Sequence, residues 1–416
     1  MKAPLFPKSR VLFASRFRFE YDFMSFSKFL QKVDFNKVLA VQLWAIENSE
    51  YKRVDSVKFP LVFIRKIFGC LYRCSLTMPV LHGSSLSERK TFFLRAYSRE
   101  DLDKHSEFYE SAIGNTLVCV LTKRRKGLSF IPFLSAMVLL FRSRKVIVNI
   151  LNKNEISLIS QESSALFLVL LEAFSDVLKI FPHIQSSSRL VSFQEMVPVE
   201  NLACQLANAL GINTYALQHA LGAYSEFGTY EARYSKVHYS ASVCSCILAW
   251  GEYSKKDIKK FTNSKIVLVG KSYLPTLPPF ANGVTIIFEA DDEINSKLSS
   301  IAVDLEGMGI EVSRWYRPGH KLVVNGLTRD GPLRKTVVGW RSSLLVELGF
   351  LGATVFVIPE SVFTDALPSF FVIDSAKEIQ ERLYNTFEYP HDVWRFFISC
   401  TGDESVCKYR QALLGT

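Results

Sequence analysis

The stretch LVSFQEMVPVENLACQLANALGINTYALQHALG, Leu190 to Gly222, decides how this chain is read. Leu190 to Phe193 has the short apolar pattern of a buried strand. Val199, Leu202, Ala203, Leu206, Ala209 and Leu210 then recur at helical spacing. Pro198 stands near the start of that helix and Gly211 just past its end, the places those residues favour. Ile212 to Leu217 predicts a second buried strand. Gln218, His219 and Gly222 would emerge at its carboxyl end, where open α/β sheets place their ligands. Glu195, Glu200, Glu226 and His238 sit on or beside the polar turns of the same region.

Further along, the alternation continues. Lys271 to Gly283, KSYLPTLPPFANG, holds three prolines and one glycine and reads as a linker. After it come a strand (Val284 to Glu289), a helical stripe from Ile294 to Met308, a strand (Ile310 to Tyr316), a strand (Lys335 to Gly339), a helix (Ser342 to Phe350) and a strand (Ala353 to Ile358). Ser375 caps a helix through Tyr384, and Pro390 to Leu414 reads as a helical end anchored by Trp394 and Phe397. Strands alternating with helices imply a parallel sheet covered on both faces. The expected division is an amino-terminal domain over residues 1–270, a carboxyl-terminal Rossmann-like domain over 284–385, and a helical segment over 386–416. Two such units leave a cleft between them, a common place for a ligand.

The amino-terminal third reads less clearly. Residues 1–60 are rich in Phe and basic residues and predict a helical pair packed on a core, with an interfacial segment as the alternative. Leu61 to Tyr72 predicts a helix, and the polar stretches up to residue 118 carry no assignment. Leu128 to Phe141 is an apolar run of 14 residues, preceded by Lys123, Arg124, Arg125 and Lys126 and followed by Arg142, Arg144 and Lys145. It falls short of the ~20 residues that span a bilayer. Either it is a core helix with basic ends, or it lies on an anionic leaflet. Ala165 to Phe181 predicts a buried helix.

Charge separates the two ends. Residues 1–150 hold 26 Lys+Arg against 12 Asp+Glu, and the remainder 24 against 28, within a net charge of +10. The basic third points to an anionic surface or polymer, which includes the inner face of the cytoplasmic membrane. There is no zinc finger, RNP motif or base-reading basic helix, so nucleic acid is not an expected partner. The eight cysteines form only the close pairs Cys70/Cys74 and Cys244/Cys246, without the second pair a zinc site needs, and read as reduced buried thiols. Met1 to Arg18 lacks the continuous apolar core of a signal peptide, so the cytoplasm is the expected compartment. The absence of a GxGxxG fingerprint, a Walker loop and a Gly-X-Ser-X-Gly elbow argues against dehydrogenase, NTPase and α/β-hydrolase chemistry. No cofactor is expected, and no acidic pair stands where a metal would be held.

Five blocks in order, YALQHALG, LAWGEY, IVLVGKSYL, WYRPGH and GWRSSLLVELGFLGATV, give the chain a resemblance. Over about residues 190–385 it resembles bacterial glycosyltransferases of the two-Rossmann-domain (GT-B) type. It is most similar to those that build capsular and surface polysaccharides, polysialyltransferase-like and CDP-alditol transferase-like proteins among them. The resemblance implies a nucleotide-sugar donor (a CMP-sugar or another nucleotide sugar) and an oligosaccharide or lipid-linked glycan acceptor. It also implies chemistry without a metal. A CDP-polyol phosphotransferase and a non-catalytic component of a capsule assembly complex are the alternatives.

Chemistry singles out the same residues. Ser342 and Ser343 stand at the first turn of a helix that follows a strand, where hydroxyls, amides and the helix dipole can hold a phosphate; plain capping is the alternative. In sialyltransferase-like enzymes a Ser pair here binds the nucleotide phosphate. Arg317 and His320 lie at a strand end and offer a planar fork and a proton donor. The related families carry His-Pro there, and this chain carries Arg-Pro-Gly-His. Glu347, one turn after the Ser pair, is the GT-B candidate for the ribose hydroxyls, with a partly exposed helix Glu as the alternative. Glu195 is the candidate general base, from a loop on the amino-terminal side of the cleft. His219 is the alternative base or an acceptor-binding group; related proteins read Gln-His-Gly where this chain reads Gln-His-Ala.

Overall fold

The computed structural model describes residues 29, 32–47, 59–83, 91–95, 107, 113, 116–126, 130–157, 160–193, 197–218, 236–237, 239–274, 279–288, 292–316, 329–359, 361, 363–364, 366–384 and 390–415. The chain is α/β and contains two sheets, of seven and five strands. It divides into two compact units. The first comprises Met1–Leu217, Val237–Ile247 and Thr262–Lys265; the second comprises Gln218–Lys236, Leu248–Phe261 and Ile266–Thr416.

Among the described residues the first unit holds a four-residue helical turn (Phe35–Val38), the helices α1 (Ala40–Glu47) and α2 (Phe59–Leu76), then the strands β1 (Thr77–Gly83), β2 (Thr91–Arg95) and β3 (Thr116–Lys126). Two long helices follow, α3 (Phe130–Lys153) and α4 (Gln161–Gln185), then β4 (Arg189–Ser192), α5 (Pro198–Ala209) and β5 (Asn213–Leu217). The seven-stranded sheet has the order β1-β3-β2-β4-β5-β6-β7, where β6 is Cys246–Ala249 and β7 Lys265–Leu268. The unit boundary falls within both of these last strands. Strands β3, β2, β4 and β5 are parallel, and β1 closes the edge antiparallel to β3. The apolar runs Phe92–Leu94 and Leu117–Val120 are buried on both faces, as a covered parallel sheet requires.

The stretch that led the sequence reading forms β4, α5 and β5, with Pro198 as the first helical residue and Gly211 at φ 74° just past the end. The basic run Lys123–Lys126 takes a different place from the one expected. It is the end of β3: Arg124–Lys126 pair with Thr77–Pro79, and Lys123 falls in the bulge that follows, so the sheet edge carries a proline and sits beside a row of basic residues. Likewise the apolar run after it grows into a 24-residue helix that includes Arg142, Arg144 and Lys145. Pro132 is tolerated because it lies in the first turn. One side of α3 is buried through Phe133, Ala136, Leu139, Ile147 and Ile150, and the other is exposed, so it is a half-buried helix rather than a core helix. Helix α4 is buried over most of its length and starts at Ser160, whose hydroxyl accepts from the Ser163 amide at 3.1 Å.

In the second unit α6 (Glu252–Phe261) precedes β8 (Ala281–Phe288), α7 (Asp292–Gly307), β9 (Val312–Tyr316), β10 (Arg329–Asp330), β11 (Arg334–Gly339), α8 (Ser343–Phe350), β12 (Thr354–Val357), α9 (Ala376–Tyr384) and α10 (Gly402–Leu414). The sheet order is β10-β9-β8-β11-β12. All pairs are parallel except the short β10 on β9. Side chains alternate with the pleat. Val337, Val355, Val357 and Ile287 face a core with α8, Trp394 and Phe397. Val338, Phe356, Ile358 and Ile286 face a second core with α7 and α9. The sheet is therefore doubly wound, with helices on both faces. The ends of the stretch expected as a linker are built into this unit: Lys271 and Ser272 are buried, and Ala281–Gly283 open β8.

Trp394 and Phe397 are fully buried and anchor the chain end as expected. The helix-α8 glycine Gly349 lies flat on the Trp394 ring, leaving no room there for a methyl group. All eight cysteines are free thiols; seven are buried and Cys407 is exposed. Cys70 and Cys74 are one helical turn apart with sulfurs at 3.8 Å. Cys244 lies not against Cys246 but against Cys204, at 3.4 Å.

Candidate functional site

In the five-stranded sheet the chain leaves β8 toward β9 on one side and toward β11 on the other. The strand order therefore reverses between β8 and β11, and the carboxyl ends of those strands flank the crevice where such sheets bind ligands. Strand β11 ends at Gly339, and Trp340, Arg341 and Ser342 lead directly into α8. Ser342 is the cap residue, extended at φ −65° and ψ 131°, and its hydroxyl accepts from the Leu344 amide at 3.3 Å. The Leu345 amide bonds the Ser342 carbonyl at 3.0 Å. That uses two of the first-turn donors. The Ser343 amide makes no hydrogen bond among the described residues, and its side chain is half-buried at the helix mouth. Arg341 lies over the Trp340 ring at 4.1 Å beside it.

One turn into α8, Glu347 is buried, not a partly exposed helix carboxylate. It is ion-paired with Lys271, and the two side chains are only 10% and 8% exposed. The Lys271 ammonium also stands over the Trp250 ring, 4.6 Å from its centre. The backbone around this trio is fixed by the chain end. Ser399 donates through its amide (2.8 Å) and its hydroxyl (3.0 Å) to the Trp250 carbonyl. The Lys271 amide donates to the Cys400 carbonyl at 3.0 Å, and Tyr409 donates to the Gly270 carbonyl at 3.3 Å. Gly270 takes the left-handed φ of 76° directly against Cys400, a place no side chain fits.

Gln218, expected at a strand end facing a ligand, is buried, and its amide group serves the same framework. Its Nε2 donates to the Ser254 hydroxyl at 2.7 Å, and its Oε1 accepts from the Trp250 amide at 2.8 Å. Gln218 thus positions Trp250, which in turn faces Lys271. Three residues below Ser254, Asp257 is buried with one carboxylate oxygen unpartnered among the described residues. Burial pushes its carboxyl up to about 6, against the opposing pull of Lys260 at 3.7 Å.

In the first unit, the strand order reverses between β2 and β4. Arg95 and Ser192, both buried, end those strands. Glu200, in the first turn of α5, is also buried and accepts the Phe193 amide at 3.1 Å, clamping the beginning of the loop that carries Glu195. Of the expected site residues, the structure brings Ser342, Ser343 and Glu347 onto one helix. Glu195, His219, Arg317 and His320 lie outside the described residues, as do Glu226 and His238.

The sequence reading missed Lys271 and Trp250. The signal for both was present: each stands within three residues of the end of an apolar strand, in CILAW and IVLVGK, at the place where a strand delivers its functional side chains.

No protein-family model matches this chain, and no curated protein matches it. Among solved structures, a protein described as a UDP-N-acetylglucosamine 2-epimerase from Listeria monocytogenes aligns with 79% of this chain and 97% of its own length, at 9% identity and a TM-score of 0.39. MnaA of S. aureus, in a co-structure with UDP, aligns with 79% of this chain and 98% of its own, at 9% identity and a TM-score of 0.40.

Proposed function

We propose that this chain is a metal-independent glycosyltransferase of the GT-B type, moving a sugar from a nucleotide-activated donor to a surface-polysaccharide or lipid-linked glycan acceptor. We place this chemistry in the cytoplasm, the compartment of activated donors. The observation that carries the reading is helix α8. Its amino terminus opens at the strand-order reversal of a doubly wound sheet, and a buried carboxylate, Glu347, stands one turn behind it on Lys271.

In this reading the leaving phosphate sits against the Ser343 amide and hydroxyl, where the partial positive charge of the helix end favours the growing negative charge. Ser342 shapes that mouth by capping it. Glu347 gives one oxygen to Lys271 and offers the other to the ribose hydroxyls. Arg317 and His320, on the segment after β9, add charge at the phosphate. Glu195 takes the proton of the acceptor hydroxyl as its oxygen bonds to the anomeric carbon, and the bond from that carbon to the phosphate oxygen breaks with its electron pair leaving on the nucleotide. His219 holds the acceptor.

Thermal shift with CMP, CDP and UDP tests the donor side. A nucleotide at a hundredfold excess over its Kd stabilises by about 2.7 kcal/mol, and the Ser342→Ala/Ser343→Ala variant loses that shift. Stabilisation by none of the three points instead to a non-catalytic component of an assembly complex.

A further inference from the structure

We propose that the solvent face of α3 is a docking surface for an anionic lipid leaflet. Every exposed residue between Ile131 and Phe141 is apolar: Ile131, Leu134, Met137, Val138 and Phe141, which are 43–64% exposed. At 3.6 residues per turn they fall within an arc of about 120°. An exposed apolar stripe of this size on a helix marks an interaction site.

The next three exposed residues, Arg142, Arg144 and Lys145, are all basic. The Arg144 guanidinium lies over the Phe141 ring at 4.1 Å, so the charge stands at the rim of the apolar stripe, as a side chain reaching for headgroups does. Neither α3 nor α2, which packs against it, contains an Asp or Glu, while together they carry seven Lys and Arg; of the acidic residues on α4, which also packs on α3, Glu162 and Asp176 are buried and Glu172 is partly exposed. Of the basic residues, Arg73 is already paired with Glu172. Helix α2 adds Phe68, Tyr72 and Leu76, exposed at successive turns.

Charge of one sign beside exposed apolar turns selects an anionic leaflet over a protein groove, which would meet this face with mixed charge. No helix among the described residues is long and apolar enough to cross a membrane, so α3 lies on the leaflet and inserts its apolar turns between headgroups. This inference does not rest on the donor reading, and its test involves no nucleotide.

Sedimentation of the full chain with phosphatidylcholine vesicles, with and without phosphatidylglycerol, tests it. The protein pellets only with the anionic vesicles and is released by salt. Neutralising Arg142, Arg144 and Lys145 to Gln weakens binding by roughly fivefold per charge, about a hundredfold together. Met137→Glu/Phe141→Glu abolishes pelleting while leaving the melting temperature unchanged, since both positions are exposed. A wild-type protein that stays in the supernatant with anionic vesicles overturns the proposal. So does a Met137→Glu/Phe141→Glu variant that pellets like wild type. If that variant instead converts a dimer to a monomer without any vesicle binding by the wild type, the face belongs to a second copy of this chain.

Discussion

Replacing Lys271 by Met tests the framework behind α8. The substitution keeps the volume and removes the charge. Glu347 is then left with its carboxylate about nine-tenths buried and its ion-pair partner gone. At ~3 Å and an effective dielectric of ~20, the attraction lost is about 5 kcal/mol, partly offset because the ammonium no longer has to be desolvated. Breaking one side of a buried pair costs about 3–5 kcal/mol overall. The reverse change, Glu347→Leu, leaves the ammonium over the Trp250 ring, a contact worth ~2 kcal/mol when desolvated, so it costs less than Lys271→Met. The double variant, apolar on both sides, recovers most of the loss. Urea unfolding followed by tryptophan fluorescence reads this well, because Trp250, Trp315, Trp340 and Trp394 all lie in the second unit. Single variants that each cost under ~1 kcal/mol, or a double variant whose loss is the sum of the two, would refute the pairing argument.

Glu195→Gln lowers transfer about 10²–10⁴-fold while nucleotide affinity stays near wild type, measured by single-turnover transfer beside a binding titration; full activity shifts the base role to His219. Asp257 predicts a pH dependence. Its folded carboxyl is raised to about 6 from an ordinary value near 4, so the folded state binds the proton more tightly than the unfolded state. Stability is favoured at low pH and falls as pH rises from about 4 through 6. Asp257→Asn flattens that slope in denaturant titrations across the window, and an unchanged slope contradicts the assignment.

The second unit was largely legible in the sequence because its signals are local. Strands β8, β9, β11 and β12 are short apolar runs bounded by glycines and turns, and α7 and α8 keep helical spacing. The β4–α5–β5 segment reads for the same reason. Strands β1, β2 and β3 did not read, since the pairing that defines them joins residues 25 to 98 positions apart and leaves little trace in any local window. Lys123 to Lys126 misled for a related reason: basic residues are poor strand formers by propensity, but β3 lies beside an edge where charge is tolerated. Helix α3 exceeded its apolar run because Arg142, Arg144 and Lys145 fall on its exposed side, so an apolar count stops where the helix continues. Glu347 was placed on the right helix, but its partner comes from 76 residues earlier, and only the folded chain brings Lys271 beneath it.

A nucleotide phosphate resting on the amino terminus of α8, as we propose, is read by hydrogen–deuterium exchange with and without saturating nucleotide. Bound nucleotide should slow exchange in peptides covering residues 339–350, with the Ser343 amide the most protected. The Ser342→Ala/Ser343→Ala variant should lose that protection. Slowed exchange confined to other segments, with residues 339–350 unchanged, would contradict the account.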